Sequence, residues 1–213
     1  MARAAWNITS SMVTRAMSPN KAKFAGVGIN KPHVWKTHVG FLDVDLNAHL
    51  NNAAYLYNME LARWHLSGLS GLMGVMLSKK WGFLVGSQSI RYRHAVAPFK
   101  NYEIHSEIVH YDDTWFFFCH RFVCPKTGKL YAEGLTRSMV KDSNRKTISF
   151  EEVCDEMGLA PPQIKQTPDI VTAFLEWDAA TKTSVAEWKP EEHIDHATPA
   201  WLGSVNLPKH DSA

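Results

Sequence analysis

The sequence predicts a two-layer α+β domain in which an antiparallel sheet encloses one long helix. Three observations predict it: a helical segment with two opposite apolar stripes, a following run whose apolar period is close to two, and short turn signals within that run. The chain has 213 residues, of which 45% are hydrophobic and 21% charged. This composition suits one globular domain with appendages and argues against a disordered or fibrous chain.

The long helix is predicted over residues 52–66. At 100° per residue its apolar positions form two stripes, Tyr55, Met59, Ala62 and Leu66 on one side and Ala54, Tyr57, Leu61 and Trp64 nearly opposite. A helix that is apolar on two sides is buried on both. Asn51 or Asn52 is predicted to cap its start, Gly68 is predicted to end it in a left-handed conformation, and a shorter helix is predicted over 69–79.

One strand is predicted before the long helix and four after it. These segments are 33–41, 82–96, 101–111, 114–124 and 129–141. They are rich in aromatic and β-branched residues, and residues 112–113 and 125–128 have the composition of hairpin turns, with Gly128 suited to a positive φ. The four later strands are therefore predicted to form an antiparallel meander around the helix, which gives the α+β class.

Charge is distributed unevenly along the chain. The first 42 residues carry six Lys or Arg and no acid, whereas residues 150–195 carry three basic and eleven acidic residues. A basic segment with Ser and Thr is typical of a mitochondrial presequence, although any short basic tail has this composition. We expect a basic N-terminal extension over 1–32 that targets the protein to mitochondria, with a cytoplasmic location as the alternative, followed by the main domain over 33–150.

The C-terminal part is predicted to be an extension over 151–213. Helices are expected near 150–158 and over 169–177, and the polar sequence beyond about 178 is expected to be a tail that lies on the surface or is partly disordered. Trp177, Trp188 and Trp201 are unusual in a free tail, because indole rings normally find apolar cover. The tail is therefore expected to pack on the domain or on a partner.

Several classes of protein are disfavoured by composition. No apolar run approaches the roughly 18 residues of a membrane span. Cys119, Cys124 and Cys154 are odd in number and lack CxxC spacing, which argues against a disulfide framework and a zinc site and favours a reducing compartment. A formal net charge of +2 without a basic stripe gives no indication of nucleic-acid binding. We expect no metal and no redox cofactor, and Cys119, in mid-strand, is a poor nucleophile candidate.

A polar turn before the long helix contains the residues best suited to chemistry. Asp45, Asn47 and His49 alternate there. A carboxylate supplies a base or nucleophile, an imidazole and an amide supply hydrogen bonds, and the unpaired amides of the first helical turn face a carbonyl brought to them. The alternative, which is the more common one on composition alone, is that these residues only form a turn and a cap.

The pattern Asp-x-Asn-x-His-x-Asn-Asn-x-x-Tyr followed by Glu-x-x-Arg, which begins at Asp45, resembles the hotdog-fold thioesterases. The similarity extends over about 38–157 and applies in particular to the plant acyl-ACP thioesterases and the thioesterase superfamily member 6-like proteins. The resemblance implies a hotdog fold, in which five or six antiparallel strands enclose the helix. It also implies hydrolysis of a fatty acyl thioester in fatty acid metabolism, with coenzyme A only as part of the substrate. In these families two protomers pair into one sheet, so a homodimer or tetramer is implied.

The resemblance assigns roles residue by residue. Asp45 would polarise water or attack the thioester, and Asn47 and His49 would orient the reactants. Apart from the resemblance, Asn51 and Asn52 are expected to position the carbonyl at the start of the helix. The acyl-ACP enzymes have a further acid near the positions that residues 91–96 occupy here, and this chain has none there. The alternative is therefore an inactive hotdog protein that serves as a dimeric scaffold or as a subunit of a larger, mitochondrial assembly.

Indications of the substrate are weaker. Tyr55, Arg91, Arg93 and His94 are expected to contact it, with the cations and Lys100 binding coenzyme A phosphates; a solvated strand face is the alternative. We favour acyl-CoA over acyl carrier protein. An acyl tunnel could be lined by apolar residues that could equally be core, namely Met59, Leu72, Met73, Met76 and Leu77. Glu60 is a second carboxylate, more simply explained as a local pair with Arg63.

Overall fold

The computed structural model describes residues 2–188 and has the α+β architecture that the sequence predicts. Its elements are α1 (Ala2–Met17), β1 (His33–His38), α2 (Asn52–Ser70), α3 (Leu72–Lys79), β2 (Gly82–Tyr92), β3 (Asn101–Tyr111), β4 (Phe116–Val123), β5 (Leu130–Lys141), β6 (Thr147–Ile148), α4 (Phe150–Glu156) and α5 (Asp169–Ala186). The chain divides into two compact units after Phe174.

The sheet is antiparallel with strand order β1-β3-β4-β5-β2, and β6 pairs with β5. Strands β3, β4 and β5 form a meander, but the prediction of a four-strand meander is wrong, because β2 pairs with β5 and not with β3. The connection over 93–100 is too long for a tight hairpin. Val96 within it is 1% exposed, and its carbonyl accepts a hydrogen bond from the Leu50 amide. The connection therefore crosses at the N-terminal end of α2.

Helix α2 is buried on both sides, as its two stripes predict. Met59 and Leu61, one from each stripe, are both 0% exposed. The Met59 side faces the sheet, where its Sδ would lie 2.9 Å from a Cβ placed on Gly134 of β5. The other side is covered by α1, so part of the expected N-terminal extension 1–32 is a helix packed against α2.

Gly68 has a different role from the predicted one. Helix α2 continues past it and ends at Gly71, whose φ of 97° is left-handed. A Cβ on Gly68 would lie 2.0 Å from Ser11 Oγ and 2.9 Å from the Ile8 carbonyl oxygen of α1. The glycine is therefore needed for the close approach of two helices and not for termination.

The C-terminal helices begin near the predicted positions. Ser149 caps α4 by accepting a hydrogen bond from the Glu152 amide at 3.1 Å. Helix α5 continues to Ala186, beyond the predicted end at 177, whereas Trp201 lies outside the described residues. No helix within residues 2–188 combines the length and apolarity required to cross a membrane.

Candidate functional site

Asp45 lies in the turn 45–49, between β1 and α2. Its Oδ1 accepts hydrogen bonds from the backbone amides of Asn47 at 2.9 Å and His49 at 3.1 Å. The Asp45 amide donates to the His49 carbonyl at 2.9 Å, and Ala48 has a φ of 56°. One carboxylate oxygen thus closes the turn, while the side chains of Asn47 and His49 are exposed.

The same turn occurs a second time, at residues 142–146. Asp142 Oδ1 accepts from the amides of Asn144 at 2.8 Å and Lys146 at 2.9 Å, and Arg145 has a φ of 65°. The hydrogen bonds of Asp45 Oδ1 are therefore those of a recurrent turn and need no chemical role to explain them. The two turns differ in what surrounds them.

An open cleft of about 230 Å³ lies beside Asp45 at the N-terminal end of α2. It is lined by Asp45, His49, Leu50, Asn52, Tyr55, Tyr92, Arg93, His94 and Ala95. Most of the predicted site residues are therefore brought together, but Asn47, Asn51 and Arg91 are not among the residues that line the cleft. Asp45 supplies the only carboxylate of this lining.

The first turn of α2 leaves one backbone amide available. Asn51 is the N-cap, and its Oδ1 accepts from the Ala53 amide at 2.7 Å. The amides of Ala54 and Tyr55 both donate to the Asn51 carbonyl. Within residues 2–188 the Asn52 amide has no hydrogen-bond acceptor, and Asn52 lines the cleft. Asn51 thus acts as a cap, and the Asn52 amide is the donor of the first turn that is left for a ligand.

Tyr92 is a cleft residue that the sequence analysis did not identify. Its ring lies 5.1 Å from the ring of Tyr55, and its hydroxyl donates to the Asn52 carbonyl at 3.2 Å. Burial, together with Tyr92, raises the pKa of Tyr55 to about 12, and burial also raises the pKa of Tyr92. Alternation along β2 places Tyr92 on the face opposite to Arg91, but which of the two faces meets the cleft depends on the order of strands in the sheet.

Arg93 and His94 follow β2 at the mouth of the cleft. Their amides both donate to the Tyr131 carbonyl, at 2.9 and 3.0 Å. Desolvation, Lys129 and Arg93 lower the pKa of His94. Lys100 lines an adjacent cavity, which also contains Lys129 and shares Ala95 with the cleft.

A separate cavity, of about 240 Å³, lies between α2 and β2. It is lined by Glu60, Arg63, Trp64, Ser67, Phe83, Val85, Gln88 and Phe118. Arg63 is 6% exposed and donates to Thr136 Oγ1 at 3.2 Å. The expected Glu60–Arg63 pair does not form a salt bridge, because Arg63 reaches into the core while the exposed Glu60 accepts from Trp64 Nε1 at 3.1 Å.

The residues expected to line an acyl tunnel line neither the cleft beside Asp45 nor the cavity beside Arg63. Met59, Leu72, Met73 and Met76 are buried in the core and Leu77 is exposed, so they belong to the core alternative. Burial raises the pKa of the Cys119 thiol to about 12, which leaves it unsuited to nucleophilic attack. Within residues 2–188 no group of three or more His, Cys, Asp or Glu side chains is placed to hold a metal ion.

Comparison with known proteins identifies the family. Residues 39–177 match the thioesterase-like superfamily. The THEM6 protein of Danio rerio is 27% identical over 157 residues, which are 73% of each chain. The THEM6 protein of Drosophila melanogaster is 29% identical over 103 residues, which cover 48% of this chain but only about half, 53%, of that relative. The YbaW probable thioesterase from Escherichia coli shows the same hotdog fold, with a TM-score of 0.55 and 21% sequence identity. The match covers 61% of this chain and 98% of that protein. The chain belongs to the thioesterase-like superfamily.

Proposed function

We propose that the protein hydrolyses a fatty acyl thioester, with acyl-CoA preferred over acyl carrier protein, in the cleft beside Asp45. Family membership supports thioester hydrolysis as the reaction class. The observation that carries the proposal is the position of the one cleft carboxylate beside the N-terminus of α2, where the Asn52 amide has no acceptor within residues 2–188.

The reaction would proceed between these two groups. The thioester carbonyl oxygen accepts a hydrogen bond from the Asn52 amide, and the partial positive charge of the helix N-terminus stabilises the oxyanion that develops. A donor of this kind contributes about 3–4 kcal/mol to lowering a barrier. Asp45 Oδ1 is held by the turn, so Oδ2 is the atom that takes a proton from the attacking water or attacks the carbonyl carbon.

The products follow from either route. With Asp45 as base, water adds to the carbonyl carbon, the C–S bond breaks, and the proton removed by Asp45 passes to the thiolate, which leaves as a thiol. With Asp45 as nucleophile, the C–S bond breaks as a mixed anhydride forms at Oδ2 and the thiolate leaves; water then hydrolyses the anhydride, which restores the carboxylate and supplies the proton for the thiol. His49 lines the same cleft and would orient the water or the carbonyl. The neutral hydroxyl of Tyr92 donates to the Asn52 carbonyl, which belongs to the peptide after the one that carries the Asn52 amide, and so restrains the backbone beside the oxyanion donor.

Basic residues at the mouth support coenzyme A as the thiol. Arg93 and His94 line the cleft, and Lys100, Lys126 and Lys129 line the adjacent cavity that shares Ala95 with it. Cations placed in this way would pair with the phosphates of coenzyme A while the pantetheine arm enters the cleft.

A homodimer is proposed from the free edge of the sheet. β2 is an edge strand, and Leu84 and Val85 on it are 47% and 40% exposed. An unpaired, partly apolar edge is suited to pairing with a second copy. Sedimentation velocity of the full chain checks this, and a monomer at micromolar concentration would contradict it.

The second proposal is that the protein has the hotdog fold but hydrolyses no thioester, and serves as a scaffold. It is favoured by the structural use of Asp45 Oδ1 and by the absence of a second acid among the residues lining the cleft. Recovery from the native source in a large complex, without hydrolysis by that complex, would support it.

A mitochondrial location stays a prediction from the composition of the N-terminal segment. Imaging of the full chain against mitochondrial and cytoplasmic markers tests this location.

The two functions are separated by an acyl-CoA panel. Purified protein is assayed with acyl-CoA esters of increasing chain length, as wild type and as Asp45→Ala, and the thermal stability of both is measured by circular dichroism. Hydrolysis that falls by at least ~100-fold in the variant supports the enzyme. Absence of turnover across the whole panel supports the scaffold.

A further inference from the structure

Arg63 is a buried cation without a carboxylate in hydrogen-bond contact. Only 6% of the residue is exposed. Its guanidinium has five N–H donors, of which one hydrogen bond, to Thr136 Oγ1 at 3.2 Å, is formed within residues 2–188. Desolvation lowers the pKa of Arg63 to about 10, so the group stays charged at neutral pH. The nearby Glu60 acts in the opposite direction on this pKa, but its carboxylate is hydrogen-bonded to Trp64, so the guanidinium can take a further anionic partner.

The cavity that Arg63 lines has an amphipathic shape. Phe83, Val85 and Phe118 form apolar parts of its wall, whereas the polar part is formed by Glu60, Arg63, Ser67 and Gln88. Gln88 Nε2 donates to the same Thr136 Oγ1, at 3.0 Å, so the hydroxyl oxygen that both groups use is already occupied. The remaining guanidinium donors are therefore open to a different acceptor, and a carboxylate matches their planar fork.

This cavity and the cleft beside Asp45 lie along the same pair of elements. The cleft contains Asn52 of α2 and Tyr92 of β2, and the cavity contains Arg63 of α2 and Gln88 of β2. Arg63 follows Asn52 by 11 positions, which is about 16 Å along a helix. The two linings share no residue, and an extended chain, which advances roughly 1.2 Å per bond, would need about 13 bonds to span this separation.

We propose that the cavity between α2 and β2 binds the far end of the acyl chain, and that this end carries a carboxylate. The inference rests on the proposed function and deepens it: the substrate is the mono-thioester of a dicarboxylic acid of about 12–14 carbons. Its thioester lies at the Asn52 amide, its methylene chain runs between α2 and β2, and its terminal carboxylate forms a bidentate pair with Arg63. Glu60 lines the same cavity, but its side chain is exposed and bonded to Trp64, so it leaves the Arg63 donors open.

The test compares two esters that differ only at the far end, dodecanedioyl-CoA and dodecanoyl-CoA. The readout is the ratio of their kcat/KM values in the wild type, in Arg63→Met and in Arg145→Met. Arg145 is exposed and lines neither cavity, so it controls for the loss of one arginine charge. We expect the wild type and Arg145→Met to share a ratio above one, and Arg63→Met to lower it at least about tenfold, the effect of losing one charged hydrogen bond.

Binding gives a readout that does not need turnover. Calorimetry with dodecanedioic and dodecanoic acid is expected to show that the wild type binds the diacid more tightly. Gln88→Leu is expected to bind the diacid more weakly, and this variant serves if Arg63→Met does not fold.

Equal affinities of the two acids, or a ratio of kcat/KM values that Arg63→Met leaves unchanged, would overturn the inference. Dissociation of a dimer by Arg63→Met with an unchanged ratio would overturn it too, because Arg63 would then serve a second copy. Preference for the diacid without turnover of either ester would support the site and refute the proposed function.

Discussion

Arg3 of α1 donates from Nη1 to Oδ1 of Asp43 at 2.9 Å, and so links the N-terminal helix to the segment that leads to Asp45. Asp43 is 6% exposed. Its carbonyl accepts from the Asn51 amide at 2.7 Å, next to the start of α2. Arg3 also reaches Asn58 Oδ1 at 3.4 Å, and Asn58 donates to the Tyr102 hydroxyl at 2.9 Å. Helix α1 therefore contributes to the support of the turn that carries Asp45.

Removal of this link is expected to destabilise the protein. Arg3→Met leaves the buried Asp43 carboxylate without its cation, at a cost of about 1–3 kcal/mol in the free energy of unfolding. Urea denaturation measures this, with Asp43→Asn and the double variant completing a mutant cycle. Since both single variants break the same contact, the double variant should be less destabilised than their sum. Additive effects would show that the two residues do not interact.

The close approach of α1 and α2 gives a second prediction. Gly68→Ala places a methyl group 2.0 Å from Ser11 Oγ, so α1 must shift, and we expect a loss of about 1–3 kcal/mol. Gly74→Ala is the matched control, because a Cβ there meets nothing within 4 Å in α3. Helix propensity favours alanine there by up to about 1 kcal/mol. Thermal unfolding compares the two variants, and equal effects would contradict the packing described.

Buried histidines predict loss of stability in acid. His33 Nε2 lies 2.9 Å from His65 Nδ1. Burial, followed by His65 and His105, lowers the pKa of His33 to about 3, and burial also lowers the pKa of His65 and of His120. The unfolded chain binds these protons near pH 6.5 and the folded chain does not. Stability is therefore complete above about pH 6.5 and is lost as the pH falls towards 3.

Urea denaturation at pH 7.5, 6.5 and 5.5 measures this loss. Each histidine that stays neutral only in the folded state contributes up to about 1.4 kcal/mol per pH unit. His33→Gln is expected to reduce the slope by nearly one proton, whereas Lys36→Gln, at a side chain that is 79% exposed, should leave it unchanged. A slope that His33→Gln does not alter would show that His33 takes up a proton while folded.

The three cysteines are expected to differ in reactivity. Hydrogen bonds from Thr127 and then Tyr131 lower the pKa of Cys124 to about 6, whereas burial raises the pKa of Cys119 to about 12 and of Cys154 to about 11. At pH 7 iodoacetamide should therefore modify Cys124 first. Peptide mass spectrometry measures the order, and Tyr131→Phe should slow the reaction. Faster labelling of Cys119 or Cys154 would contradict it.

The sequence indicates the elements better than their assembly. Helix α2 follows from periodicity, and the Asn51 cap from local preference, because both depend on neighbouring residues. Several cleft residues were likewise identified because they lie close together along the chain. Tyr92 and the pairing of β2 with β5 depend on sheet order, which local patterns do not encode. The packing of α1 depends on the fit of Gly68 to Ser11, and a basic composition alone cannot show it.

The central claim is that the Asp45 carboxylate takes part in thioester hydrolysis. The turn at Asp142, which has the same hydrogen bonds as the turn at Asp45, supplies the most direct test. Asp45→Asn and Asp142→Asn make the same isosteric change in the same five-residue hydrogen-bonded turn. The measurement is kcat/KM for acyl-CoA, with the unfolding temperature recorded for both variants. We expect similar small losses of stability, with activity lowered at least ~100-fold in Asp45→Asn alone. Equal activity in the two variants would contradict the claim and leave Asp45 as a turn residue.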